Sequence, residues 1–281
     1  MKLLFLTSNI RAEEKLLLQA TERAGLEFLQ VDVRQKVFDH TKENIIDPYL
    51  VINRCIGQTQ ALGSIRYYES LGLTCVNCSH TISLCGDKQA MTLALQAANL
   101  PTPKTVFAMG RASAMRAIQE MGFPVVIKPT TGSWGRMVVR ANDLTAAEAI
   151  LDLRENLTGP QHRLHYIQRL VDTGNSDIRV IMLDDHILTA FRRISDHWIT
   201  NAARGARGEK IEVSHTLAKL CRATSNVAGG GILSIDVFET EREGYLINEV
   251  NHTTEFMLAM TVTQLDIAGS IIDYLKVKLA S

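Results

Sequence analysis

The chain has 281 residues, 46% hydrophobic and 21% charged, the balance of a globular enzyme with room for two or three compact lobes. Lysine plus arginine is 30 and aspartate plus glutamate is 30, a zero balance that argues against nucleic acid as the main partner. Residues 1–7 are apolar only briefly before Ser8, Asn9 and Arg11, so they read as a buried first strand and not as a signal peptide. No apolar run nears the roughly 18 residues that span a bilayer. A cytoplasmic protein with no membrane partner is expected, and the expected assembly is a homo-oligomer.

In chain order, residues 2–7 read as a strand, 12–24 as an amphipathic helix, 28–33 and 50–53 as strands, 58–71 as a helix and 73–77 as a strand. This alternation predicts a small parallel sheet. No G-x-G-x-x-G follows the first strand, so nothing supports a dinucleotide site. Residues 87–98 read as a helix stopped before Pro101 and Pro103. Strands at 104–108, 124–129, 136–141 and 165–171, with helices at 111–121 and 143–153, form a second α+β lobe. Strands at 178–183 and 187–193, a polar loop at 195–210, a helix at 214–228, a hairpin at 232–251 and a last helix at 264–279 form a third. Five cysteines, with Cys75 and Cys78 as a C-x-x-C, lack a second such pair or a histidine pair, so free structural thiols are expected. His162 and His165 have no evident carboxylate partner and read as surface residues.

Several groups stand out chemically. Gly132-Ser133-Trp134-Gly135-Arg136 follows an apolar strand ending in Lys128, and glycines let backbone amides approach a phosphate. The loop is not G-x-x-x-x-G-K-S/T, which excludes a Walker-type site. Lys88 opens a helix, where its charge opposes the helix dipole unless an anion is near. In the C-terminal hairpin, a turn centred between Arg242 and Glu243 puts Asp236 opposite Glu249, and Glu249 and Asn251 share a face. Carboxylates so placed repel. Either a hard cation such as Mg²⁺ carrying nucleotide phosphates, or an arginine such as Arg179, would relieve them. Arg192 and Arg193 adjoin on a strand and point to opposite faces, so at least one is expected to face a cleft.

The order Cys85-Gly86-Asp87-Lys88, Lys128 with its glycine loop, Ile167-Gln168, Asp177-Ile178-Arg179, Asp236 and Asn248-Glu249-Val250-Asn251 resembles the ATP-grasp superfamily over nearly the whole chain. Gly132–Arg136, His197-Trp198-Ile199-Thr200-Asn201, Ala203-Arg204-Gly205 and Asn248–Thr253 narrow the resemblance to the RimK-like branch, and within it to ligases that load α-aminoadipate on a carrier protein for lysine biosynthesis. The resemblance implies an α/β fold built as an N-terminal parallel-sheet domain (1–86), a central lobe (87–172) and a C-terminal lobe (173–281), the two lobes clamping ATP. It implies an amide bond made through an acyl-phosphate between the α-amino group of α-aminoadipate, or of glutamate in a related reaction, and the C-terminal glutamate of a small acidic LysW-like carrier.

By the same resemblance, Lys88 and Lys128 would hold ATP phosphates under the loop Gly132, Ser133, Trp134, Gly135 and Arg136. Gln168 would sit at the adenine hinge, with Asp177 and Arg179 on the nucleotide side. Asp236, Glu249 and Asn251 would hold Mg²⁺, as two ions. Arg179, Arg193, Asn201 and Arg204 would meet the amino acid and the reacting phosphate. The chain departs from the family pattern at Arg169 and Leu170, where an acidic and then an aromatic residue are usual, at Met257, usually lysine, and at Ala202, usually threonine.

Overall fold

A computed structural model describes residues 2–39, 41, 49–132, 135–200 and 205–280. Apolar runs at β1 (Lys2–Thr7) and β3 (Tyr49–Asn53) form the centre of a parallel sheet of order β2-β1-β3-β4, with β2 at Phe28–Asp32 and β4 at Thr74–Val76. Both central strands are buried, as parallel strands covered on two faces must be. The helices α1 (Ala12–Arg23) and α2 (Gln58–Ser70) follow β1 and β3. A short α3 (Ser79–Cys85), which the sequence reading did not anticipate, follows β4. All five cysteines are free thiols, as the reading expected.

Asp87 caps α4 (Lys88–Ala97) by accepting from the Gln89 and Ala90 amides. The second sheet has order β5-β8-β6-β7, with β5 at Thr105–Ala108, β6 at Val125–Lys128, β7 at Val139–Ala141 and β8 at His165–Arg169. The helices α5 (Arg111–Met121) and α6 (Leu144–Glu155) pack on one face around Ile118, Leu151 and Ile167. β7 is shorter than the sequence suggests, because Gly135, Arg136 and Met137 form a turn with Gly135 and Met137 in the left-handed region. His165 is a correction: it is buried on the helix side of β8 beside Arg154, and the burial pushes its pKa down to about 4.

The third sheet is antiparallel, of order β11-β10-β9-β12-β13. β9 is Ser176–Leu183, β10 His186–Ile194, β11 Arg207–Lys210, β12 Ile232–Thr240 and β13 Gly244–Asn251. The stretch read as a polar loop, 195–210, therefore ends in an edge strand, too short and too charged to register as an alternating pattern. α7 (His215–Ala228) covers one face with α4, while α8 (Met257–Thr263) and α9 (Ile267–Ala280) join the other face to the first domain through Phe5, Phe191, Phe256 and Ile271. The last helix read at 264–279 is α9, which starts at Ile267, and α8 is a further short helix before it that ends at Gln264 in the left-handed region.

Two buried polar contacts fix the first domain to the third sheet. Asn77 accepts from the Ile232 amide at 2.6 Å and donates to the Ile232 and His252 carbonyls at 2.8 Å each. A Cβ on Gly231 would stand 2.0 Å from the Asn77 Oδ1, so glycine is required for that approach. Arg54, also buried, bridges Glu14 of α1 and the Thr254 carbonyl at 3.1 Å.

Candidate active site

A cavity lies between the second and third sheets. Lys88, Lys128, Gly132, Gly135, Arg136, Gln168, Asp177, Arg193, Asp236 and Glu249 all border it, so most of the residues singled out by sequence converge there. Arg179 and Asn251 are not among its walls. Ser133, Trp134, Asn201 and Arg204 lie outside the described residues.

The C-terminal lobe supplies the charged floor. Asp236 of β12 pairs in register with Glu249 of β13, as the sequence predicts, but for a different local reason. The turn closes on Thr240↔Gly244, centred on Arg242, so the pairing there is one residue out of the register that a centre between Arg242 and Glu243 gives, and Val237 pairs with Ile247. Asn248 is the extra residue of a β-bulge that restores the pairing at Asp236↔Glu249. The bulge also explains why Asn248 and Glu249, adjacent in sequence, both border the cavity. Asn248 was missed as a site residue because strict alternation would send it to the other face.

Arg179 lies opposite Asp236 on the neighbouring strand β9, and Arg193 of β10 lies opposite Asp177. Arg179 donates from Nε and Nη2 to the two Asp236 oxygens at 2.8 and 2.9 Å. Arg193 grips both Asp177 oxygens and reaches Asp236 Oδ2 at 3.0 Å. These four groups balance two charges against two in a site from which water is excluded, the arrangement buried ions need. Burial alone would raise the Asp236 carboxyl, but Arg179 and Arg193 outweigh it and hold the pKa at about 2. Burial would lower the Arg193 pKa, and Asp236 and Asp177 outweigh that and raise it. Of the two relief mechanisms open in the sequence, the arginine partner is present at Asp236. Arg193 Nη1 is buried with no partner among the described residues and is a donor on the cavity wall.

The two lysines come from the other side. Lys88 Nζ donates to Glu249 Oε1 and to the Gly132 carbonyl, both at 2.9 Å, which supplies the anion its place at the start of α4 requires. Lys128, at the end of β6, is buried. Its Nζ donates to Asn248 Oδ1 at 3.0 Å and lies 5.9 Å from the centroid of the Tyr166 ring. Desolvation pulls its pKa down to about 8, Glu249 opposing and Lys88 adding to the fall. Val126 and Leu170 give the cavity an apolar end, where Gln168 Nε2 is buried without a partner among the described residues. The cavity is therefore apolar at one end and cationic and carboxylate-bearing at the other, which suits a purine at the first and a polyphosphate at the second. The hard-oxygen set of Asp236, Glu249 and Asn248 also suits Mg²⁺, since Arg179 and Lys88 now neutralise the carboxylates that such an ion would neutralise.

Comparison with known proteins agrees with this geometry. Residues 85–275 match the model of the RimK-like ATP-grasp domain, and residues 3–84 match that of the LysX preATP-grasp domain. Glutamate–LysW ligase ArgX of Sulfolobus acidocaldarius is 33% identical over 98% of both chains. Alpha-aminoadipate–LysW ligase LysX of Saccharolobus solfataricus is 32% identical over 94% of this chain and 96% of its own. Among solved structures, the RimK domain ATP-grasp protein of Sphaerobacter thermophilus superposes with a TM-score of 0.80 at 24% identity, covering 98% of this chain and 99% of that one.

Proposed function

We infer that this chain, which belongs to the RimK-like ATP-grasp ligases, joins the α-amino group of α-aminoadipate to the C-terminal glutamate side chain of a LysW-like carrier protein, as a step of lysine biosynthesis. The observation that carries the reading is the meeting of Lys88, Lys128, Arg193, Asp236 and Glu249 around one cavity in a chain whose full-length relatives are named as LysW ligases. A second reading, glutamate as the amino acid, has equal support from the 33% identical glutamate ligase. The two substrates differ by one methylene, worth about 1–3 kcal/mol in a pocket, so the carrier chemistry is common to both.

In the proposed reaction the carrier carboxylate attacks the γ-phosphorus of ATP, giving an acyl-phosphate and ADP. The amine then attacks the acyl carbon, the carbon–oxygen bond to phosphate breaks, and the amine loses a proton. Lys88 and Lys128 orient the phosphates, and Gln168 turns an unpartnered amide toward the base. Arg193 holds its free Nη1 toward the negative charge that builds on the migrating phosphoryl or on the amino-acid carboxylate. Arg179 keeps Asp236 ionised and oriented. Asp236 and Glu249 would hold Mg²⁺, two ions in this reading, with Asn248 on the cavity wall as the third oxygen donor in place of Asn251, which lies off it; when bound the metal would neutralise phosphate charge and polarise the γ-phosphoryl. Glycines 132 and 135, both at positive φ, give the loop between β6 and β7 the backbone freedom to cover the reacting groups and exclude water.

The experiment is phosphate release by the purified enzyme with ATP, Mg²⁺ and a LysW-like carrier, supplied in turn with α-aminoadipate and glutamate. Release that requires both carrier and α-aminoadipate supports the reading. Release with glutamate alone selects the second.

A further inference from the structure

A second cavity, of about 580 Å³, opens on the opposite side of the third sheet from α8 and α9, between the start of α7, the connection from α4 to β5, and the tip of the β12–β13 hairpin. Its size falls within the roughly 300–1,000 Å³ of small-ligand sites. Leu100, Pro101, Leu220 and Ala223 make it an apolar slot, and Lys219 and Glu243 bring one charge of each sign to it. The Lys219 ammonium makes no hydrogen bond or ion pair with the described residues. Glu243 offers one carboxylate oxygen, since its Oε1 is taken by Arg169 Nη2.

That ion pair ties the slot to the nucleotide cavity. Arg169 ends β8 directly between Gln168 and Leu170, both of which border the nucleotide cavity. Pro101 of the slot accepts from the Ile247 amide at 2.8 Å, which anchors the α4–β5 connection to β13 one residue before Asn248. A ligand held in the slot thus touches two segments that position nucleotide-facing side chains.

We propose that this slot binds a free aliphatic α-amino acid and that its occupation tightens nucleotide binding. The ligand's carboxylate pairs with Lys219, its ammonium with the open oxygen of Glu243, and its hydrocarbon chain lies against Leu100, Pro101, Leu220 and Ala223. Holding Glu243 in place holds Arg169 and the end of β8 with it. By linkage, nucleotide then tightens the amino acid by the same factor. The proposal rests on ATP use alone and is independent of which amino acid the enzyme ligates.

The test is calorimetric titration of L-leucine and L-norleucine into the full chain, with and without a non-hydrolysable ATP analogue. Saturable binding of at least one of them, about 5-fold tighter with nucleotide, is expected. 4-Methylpentanoate and isoamylamine, each lacking one charge, should bind up to about 5-fold more weakly. Lys219→Ala should weaken the binding about 5-fold and Ala223→Trp should abolish it, both leaving ligase turnover at saturating ATP unchanged, which separates the slot from the active site. Arg169→Ala should keep the binding and lose the coupling. Binding of neither amino acid, binding that survives Ala223→Trp, or affinities that ignore the nucleotide would each overturn the proposal.

Discussion

Replacing Asp236 by asparagine removes one carboxylate from a buried set of two arginines and two aspartates. The side chains involved are nearly closed to water: Arg179 at 9% exposure, Asp236 at 3%, Arg193 at 2%. Arg193 retains Asp177, but Arg179 loses its only ion-pair partner among the described residues. Uncompensated buried charge of this kind costs about 3–5 kcal/mol. A smaller figure comes from the depressed pKa: a carboxyl at about 2 in the fold against its ordinary value of 3.8 contributes about 2 kcal/mol. Its folded pKa is the depressed one, so that contribution is complete above pH 4 and disappears as the pH falls from about 4 to about 2. Against a total stability of about 5–15 kcal/mol, either figure is easily measured. Urea denaturation at pH 7, followed by far-ultraviolet circular dichroism, should show a loss of 2–5 kcal/mol for Asp236→Asn (about, by the same ion-pair reasoning). Adding Arg179→Leu should recover about 1 kcal/mol or more, because it deletes the orphaned charge. A cost under about 1 kcal/mol for Asp236→Asn, or further loss on adding Arg179→Leu, would refute the view that the arginines hold this carboxylate. Asp236→Asn therefore perturbs the fold as well as the metal site.

Three further outcomes follow from the site. Glu249→Gln is the cleaner functional probe: its pair with Lys88 is partly exposed and worth about 1 kcal/mol or less, so turnover should fall at least about 100-fold with the melting curve nearly unchanged, as steady-state rates and thermal denaturation will show. Lys128 is charged below pH 8 and neutral above it in the free enzyme, so affinity for an ATP analogue should weaken as pH rises through about 8. Titrations of Lys128→Met should be weak throughout and show no inflection there. Dithiothreitol should leave the thermal midpoint unchanged because no thiol is paired, and calorimetry with and without the reductant checks it.

Much of the fold was legible because its central strands are strongly apolar and several helices stop at or just before Gly or Asn, as at Gly25, Gly72, Asn99, Gly122 and Gly229. β1, α1, β3 and α2 fall within one or two residues of the periodicity reading. The misses have local causes. α3 is seven residues long, too short for helical periodicity to show. β11 is Arg-Gly-Glu-Lys, which has no apolar alternation at all, and it forms because β10 offers an unpaired edge. His165 was misplaced because a polar ring gives no sequence sign that Arg154 and the α6 layer close over it. In the site, parity along β12 and β13 correctly put Asp236 across from Glu249, but Asn248 was invisible without the bulge. Arg179 was legible as a partner for Asp236, whereas the second grip by Arg193 depends on the β9–β10 register, which a sequence without a tight turn signal does not fix.

The central claim, amide formation between an amino acid and a carrier carboxylate at the expense of ATP, is tested most directly by the mass of the carrier. With ATP, Mg²⁺ and α-aminoadipate, the account predicts that a LysW-like carrier gains one amino-acid residue, its mass rising by one α-aminoadipate less one water, with one ADP formed per carrier modified and no gain when the terminal glutamate is replaced by alanine. A carrier whose mass stays unchanged with both α-aminoadipate and glutamate while ATP is consumed would contradict it.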